Sequence, residues 1–186
     1  MKVLPSSLRI GNVIQEKGKL WSVVRMQHTQ PGKGGAYFQI ELRNIEDGTK
    51  QTRRVRSGEE LERAMLLERR AAYLFRDSNG YVFMDQETYE QVVVDPDMIG
   101  DAQDFLQEGM EVTLTMHEDR IIGVMLPNSM KMEIDSADAV VKGQTAASSY
   151  KNAVLKNGIS IKVPAHIEGG AAVLVNPNTR EYLEKA

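Results

Sequence analysis

Lys33 sits in the stretch Gln30-Pro31-Gly32-Lys33-Gly34-Gly35, and its surroundings set it apart from the chain's other polar residues. Three glycines and a proline leave its amine little to touch nearby, so it reads either as a solvated hairpin tip or as a cation held out for another molecule. A nucleotide-phosphate loop is excluded. That motif needs a glycine five residues before the Gly-Lys pair and a Ser or Thr after it, and Gln27 and Gly34 stand there. The other candidates are weaker. His28, His117 and His166 are too far apart in sequence for two to share a helix face, so a triad or zinc site would need tertiary assembly. Asp95, Asp97, Asp101 and Asp104 do not follow the calcium-loop spacing and read as helix caps and solvated loop. With no cysteine, disulfides and thiolate metal sites are excluded. No catalytic residue, metal or cofactor is assigned, and the chain is not expected to be an enzyme.

The elements that must carry Lys33 are extended. Ala36, Phe38, Ile40 and Leu42 alternate with Tyr37, Gln39, Glu41 and Arg43, the period of a half-buried strand. Leu20 to His28, on the other side, is rich in β-branched and aromatic residues. Together they predict a long hairpin joined by about seven residues, with Lys33 near its tip. Three extended residues would project it roughly 10 Å, beyond which the side chain adds its own reach.

Charge is divided unevenly along the chain. The net −3 resolves into +5 over residues 1–64 (12 Lys+Arg, 7 Asp+Glu), −9 over 65–128 (4 and 13) and +1 over 129–186 (7 and 6). A basic first third suits contact with phosphates. No apolar run approaches membrane-spanning length and no apolar signal core opens the chain, so a cytoplasmic location without membrane contact is expected.

In order, strands are predicted at Ile10–Ile14, Leu20–Met26, Ala36–Asn44 and Thr49–Val55, a small β-barrel. Arg53, Arg54 and Arg56 lie on its last strand, and at least two must share a face. They fit phosphate contact or an edge strand guarded by charge. Residues 58–70 have helical propensity with Ser57 as cap, most convincing in the first turn, because the next strand eats into the rest. Tyr73–Asp77 and Tyr81–Asp85 flank Asn79-Gly80, a hairpin signal. Val92–Val94 follows, then a short helix ended by Gly109, then strands at Glu111–Met116 and Ile121–Leu126. Pro127-Asn128-Ser129 reads as a joint that would let residues 129–186 fold alone. Beyond it lie Lys131–Ile134, Ala139–Lys142, Ser160–Val163 and Ala171–Val175. The openings Gly109-Met-Glu-Val-Thr-Leu and Gly158-Ile-Ser-Ile-Lys-Val echo one another, which suggests two successive five-stranded barrels of oligonucleotide-binding (OB) type. Tyr150 and Tyr182 could stack on bases, although core packing explains most aromatics.

Three pieces in the right order make the chain resemble the bacterial elongation factor P family from end to end. They are Pro31-Gly32-Lys33-Gly34; Phe83-Met84-Asp85 with Glu87-Thr88-Tyr89-Glu90-Gln91; and Lys151-Asn152-Ala153, Gly158, Ile161, Val163-Pro164, Ile167 and Gly170. The resemblance implies an all-β fold of three small barrels in an L-shaped arrangement. These would be a KOW-like barrel over 1–64 carrying the lysine loop, then OB-type barrels over 65–128 and 129–186. It implies a monomeric translation factor that enters the ribosome between peptidyl and exit sites and stimulates peptidyl transfer at consecutive prolines. Pro31, Gly32, Lys33, Gly34 and Gly35, with Arg53 and Arg54 from the charge argument, would contact the peptidyl-site tRNA or the ribosome. Gly143, Gln144, Thr145, Ala146 and Ala147 would lie near the mRNA in the exit site. Many members carry an extension on the loop lysine, often added by a lysyl-tRNA-synthetase-like enzyme, so Lys33 is the modification candidate. Three departures stand out: Gln30 where a basic residue is common, Gln144 where aspartate is usual, and Asn178-Thr179-Arg180-Glu181-Tyr182 against the family's Thr-Gly-Glu-Tyr ending. The competing reading is a general single-stranded RNA-binding protein built of OB-type barrels.

Overall fold

The computed structural model describes residues 1–140 and 150–186. It is almost entirely β, in three sheets. The first holds β1 (Lys2–Val3), β2 (Val13–Glu16), β3 (Lys19–Thr29), β4 (Tyr37–Asn44), β5 (Lys50–Arg56) and β6 (Leu61–Arg63), in the order β1-β6-β2-β3-β4-β5. Its core is Leu8, Ile14, Trp21, Val23, Ile40, Leu42, Val55 and Leu61. Along β4 the expected alternation is realised, with Ile40 and Leu42 fully buried and Gln39, Glu41 and Arg43 exposed.

The second sheet holds β7 (Leu67–Arg76), β8 (Tyr81–Asp85), β9 (Gln91–Val94), β10 (Glu111–His117) and β11 (Arg120–Met125), ordered β11-β10-β7-β8-β9. The third holds β12 (Met130–Ala137), β13 (Tyr150–Leu155), β14 (Ser160–Pro164), β15 (Ala172–Asn176) and β16 (Glu181–Lys185), ordered β14-β13-β12-β15-β16. Numbered within themselves, both sheets run 3-2-1-4-5, and in the last β14 approaches β16 and closes the sheet toward a barrel. The internal repeat is therefore real, but the sequence echo was out of step. Gly109 leads into the fourth strand of its sheet, whereas Gly158 leads into the third. Both glycines simply serve turns, at φ of 81° and 85°.

Backbone packing divides the chain into two compact units, Met1–Glu68 with Thr115–Ile122, and Arg69–Leu114 with Gly123–Ala186. The second unit spans the expected joint. Its core joins Phe105 and Leu126, from before Pro127, to Met130, Met132, Ile134, Leu155, Val163 and Val175 beyond it. Proline and serine break the strand pattern at 127–129 without interrupting the buried cluster.

Local propensity also misleads over 58–70, where no helix forms, not even its first turn. Leu61 is 4% exposed in the first core, and β6 pairs with both β1 and β2. Met65 and Leu67 are mostly exposed, so a helix here would have lacked a continuous apolar stripe. Non-local sheet pairing outweighs the few tenths of a kcal/mol per residue that propensity offers. The first expected strand starts later, at Val13, because Ile10 and Gly11 turn. The short helix covers Pro96–Ile99, runs on as a 3-10 turn over Gly100–Phe105, and stops before Gly109. Asp95 caps it, accepting from Asp97 N–H at 2.8 Å. Residues 139 and 140 are not in a strand, and the rest of the strand expected there lies outside the described residues.

The Asn79-Gly80 hairpin forms as expected, with Arg76 opposite Tyr81. Gly80 is required there: a Cβ would stand 2.4 Å from the Val94 carbonyl oxygen.

Candidate functional site

The β3–β4 ladder runs to Thr29 opposite Tyr37, leaving residues 30–36 as the loop, seven residues as the alternation predicted. β5 follows β4 to the same height, with Arg56 opposite Tyr37, and Ser57 N–H donates to the Ala36 carbonyl at 3.1 Å. The root of the loop is thus held from both sides while its tip is free. Gly32, Lys33, Gly34 and Gly35 are exposed. Only Gly34 needs its glycine for conformation, at φ 100°, and no atom lies within 4 Å of where a Cβ would stand on Gly32, Gly34 or Gly35. Neither local strain nor internal packing explains Gly32 and Gly35. Without a Cβ, both leave their backbone open to close approach. Among the described residues Lys33 has no hydrogen-bond or ion-pair partner.

Beside the loop lies a cleft of about 760 Å³, lined by Pro31, Lys33, Gly34, Gly35, Ala36, Tyr37, Arg54, Arg56, Ser57, Gly58 and Glu59. Strand alternation decides which arginines reach it. Arg54 and Arg56 share the outer face of β5 with Tyr37 and Gln39 of β4, and the Arg54 guanidinium lies 3.6 Å from the Tyr37 ring centre. That distance places the cation over the aromatic face, a cation–π contact. Arg53 points the other way. Its guanidinium is divided between Glu16 and Glu59, at 2.8 Å from the latter, and it borders a separate hollow with Lys17, Lys19 and Trp21.

Charge in the cleft is therefore unbalanced. Glu59, its one carboxylate, is already engaged by Arg53, while Lys33, Arg54 and Arg56 have no carboxylate partner among the described residues. Ser57 Oγ is buried at the same place without a hydrogen-bond partner among the described residues. Such a surface suits phosphate and a stacked planar base better than it suits proton transfer. Tyr37, Arg56 and Ser57 are additions to the expected set. The parity of 54 and 56 was visible in the sequence; the buried hydroxyl was not.

Elsewhere, titratable groups do structural work. Asp85, 6% exposed, accepts Thr88 and Glu87 N–H groups, which with Arg69 hold its carboxyl below the ordinary range despite burial, so it remains an ionised turn acceptor. Burial pushes the Tyr73 hydroxyl upward, reinforced by Tyr81. His28 is exposed and stacks on Phe38 with ring centres 4.5 Å apart. Tyr182 packs against the last core, whereas Tyr150 is 65% exposed. Residues 143–147, the expected mRNA-side loop, lie outside the described residues. Among those described, no helix is long and apolar enough to cross a membrane.

Comparisons with known proteins agree along the whole chain. Family models match in succession: the elongation factor P (EF-P) KOW-like domain over residues 5–61, the elongation factor P (EF-P) OB domain over 66–124, and elongation factor P, C-terminal, over 130–185. Proteins named elongation factor P from Zymomonas mobilis and Erythrobacter litoralis are each 48% identical over 186 residues, covering 100% of both chains, and that of Brucella abortus is 46% identical over the same span. Among solved structures, eukaryotic translation initiation factor 5A from Methanococcus jannaschii superposes with a TM-score of 0.52 at 23% identity, covering 67% of this chain and 95% of its own, a likeness of fold. The chain belongs to the elongation factor P family of translation elongation factors.

Proposed function

We propose that this factor binds the ribosome between the peptidyl and exit sites, in the cytoplasm and as a monomer, and promotes peptide-bond formation at consecutive prolines by holding the peptidyl-site tRNA. The observation that carries this reading is Lys33 on an exposed glycine arm beside a cleft, where it and the arginines Arg54 and Arg56 have no carboxylate partner among the described residues. Lys33 reaches the acceptor end, Gly32 and Gly35 let backbone approach it closely, and Arg54 and Arg56 meet phosphates. Arg53, bound to two glutamates, is left out of that set and supports the strand instead.

The ribosome supplies the reaction centre, so the factor contributes position. Proline restricts φ and lacks an N–H, which hinders productive approach of the reacting groups. Holding the donor end in a reactive geometry lowers the barrier by removing freedom before the chemical step. An exposed Lys33 amine also suits covalent extension by a lysyl-tRNA-synthetase-like enzyme, which would lengthen the arm. Residues 143–147 of the last barrel face the exit-site mRNA in this reading. The three-domain division at 1–64, 65–128 and 129–186 is retained, with the last two sharing one core.

Ribosome association measured against salt tests the assignment. Arg54→Glu with Arg56→Glu should weaken binding and reduce the magnitude of the log–log salt slope by about 1 per lost phosphate contact. An unchanged slope removes the arginines from the interface. Tight, salt-steep binding of short single-stranded RNA without ribosomes would favour a general RNA-binding protein instead.

A further inference from the structure

The β15–β16 turn, residues 177–180, is where this chain departs from the ending Thr-Gly-Glu-Tyr, with Arg180 at the glycine position, and the side chains of Asn178 and Arg180 both bond to residues before Asn128. Asn178 pairs its amide with the backbone of Leu126 much as a strand would. Its Oδ1 accepts Leu126 N–H at 3.2 Å and its Nδ2 donates to the Leu126 carbonyl at 2.9 Å and the Pro127 carbonyl at 3.3 Å. Arg180 takes hold of the 3-10 turn before β10. Its guanidinium donates to the Asp101 carbonyl at 3.0 Å and to Asp104 Oδ2 at 3.4 Å, and lies 5.8 Å from the Phe105 ring centre. From the next turn of the same barrel, Asn157 Nδ2 donates to the Asp104 carbonyl at 3.0 Å.

Arg180 holds this place at a backbone cost. Its φ is 59°, in the left-handed region that favours glycine. Glycine at this position, as in the resembled ending, would be relaxed and could not reach Asp101. We infer that Asn178 and Arg180 form a clamp that makes the middle and last barrels one rigid body, each acting as a positioning residue rather than as part of a binding surface. The shared core around Phe105 supplies cohesion but little orientation, because apolar contact is non-directional. Hydrogen bonds to fixed carbonyls specify the angle. A partner that grips the last barrel therefore orients the middle barrel as well.

This inference does not depend on the role of Lys33, and its test needs no ribosome. The chain has no cysteine, so Glu87→Cys and Glu168→Cys, both at exposed positions, place a unique pair of spin labels on the two barrels. The labelled parent should give one narrow distance distribution. Adding Asn178→Ala and Arg180→Gly should broaden it at least twofold while each barrel keeps its dispersed amide spectrum. Should the double change prevent folding, Arg180→Gly alone serves: it relieves the backbone, so the clamp predicts a melting temperature held or raised together with a broader distribution. Arg180→Lys, which keeps the cation and loses the fork, should fall between. An unchanged width in these variants overturns the clamp and leaves the core as the sole determinant. A lowered melting temperature at unchanged width shows a merely structural turn.

Discussion

The loop at residues 30–36 and the turn at 177–180 each present one long cation, and they treat it in opposite ways. Lys33 is flanked by glycines, is exposed, and has no hydrogen-bond or ion-pair partner among the described residues. Arg180 accepts a left-handed backbone and delivers its guanidinium to Asp101, Asp104 and Phe105. Where this fold uses a cation internally, at Arg180 or at Arg53, a carboxylate of the chain meets it. The glycine arm offers Lys33 no such carboxylate among the described residues, which is the physical reason to seek its partner outside the chain. Arg53 and Arg54 repeat the contrast one residue apart, the first divided between two glutamates and the second laid over Tyr37 at the cleft.

The contrast can be sharpened by stability measurements, beginning on the inward-facing side. Phe105→Ala removes a fully buried aromatic from the core shared across Pro127, and should cost about 3–5 kcal/mol in denaturant unfolding while loosening the last barrel too. For the same reason the isolated fragment 129–186 should show a collapsed amide spectrum, and a well-dispersed one would restore the joint at 127–129. Arg53→Ala leaves two partly buried glutamates without a counter-charge, and a loss of about 1–2 kcal/mol is expected. Arg54→Ala removes only a stacked cation and should cost about 0.5–1 kcal/mol, yet it should weaken ribosome association more than Arg53→Ala does. The reverse order in both measurements would break the contrast between them.

Much of this was readable in advance where the information is local. Alternation from Ala36 to Arg43, with Pro31 and three glycines before it, is enough for a hairpin, its seven-residue loop and the place of Lys33. Parity along β5 was equally available, and it separates Arg53 from Arg54. What could not be read depends on distant residues. Residues 58–70 abandon helix because Leu61 fills a core made by Ile14 and Val55. Pro127 looks like a boundary because nothing in its neighbourhood reveals that Phe105 lies beneath Met132 and its neighbours. The function of Asn178 and Arg180 is likewise invisible without Leu126 and Asp101 beside them.

At the outward end of the scale, Lys33→Ala should change stability by no more than about 0.5 kcal/mol, since it loses no described partner. The central claim rests on what the same change does to translation. In a purified system reading messages with three consecutive prolines, Lys33→Ala should reduce peptide-bond formation to the rate without factor, and leave messages lacking such runs almost untouched. Lys33→Arg keeps the charge but has no amine that can accept an aminoacyl group, and should restore only part of the rate. Full restoration by arginine would mean that charge alone suffices and no modification is needed. Wild-type rates from Lys33→Ala on the three-proline message would contradict the account, because the arm would then be held out for no partner.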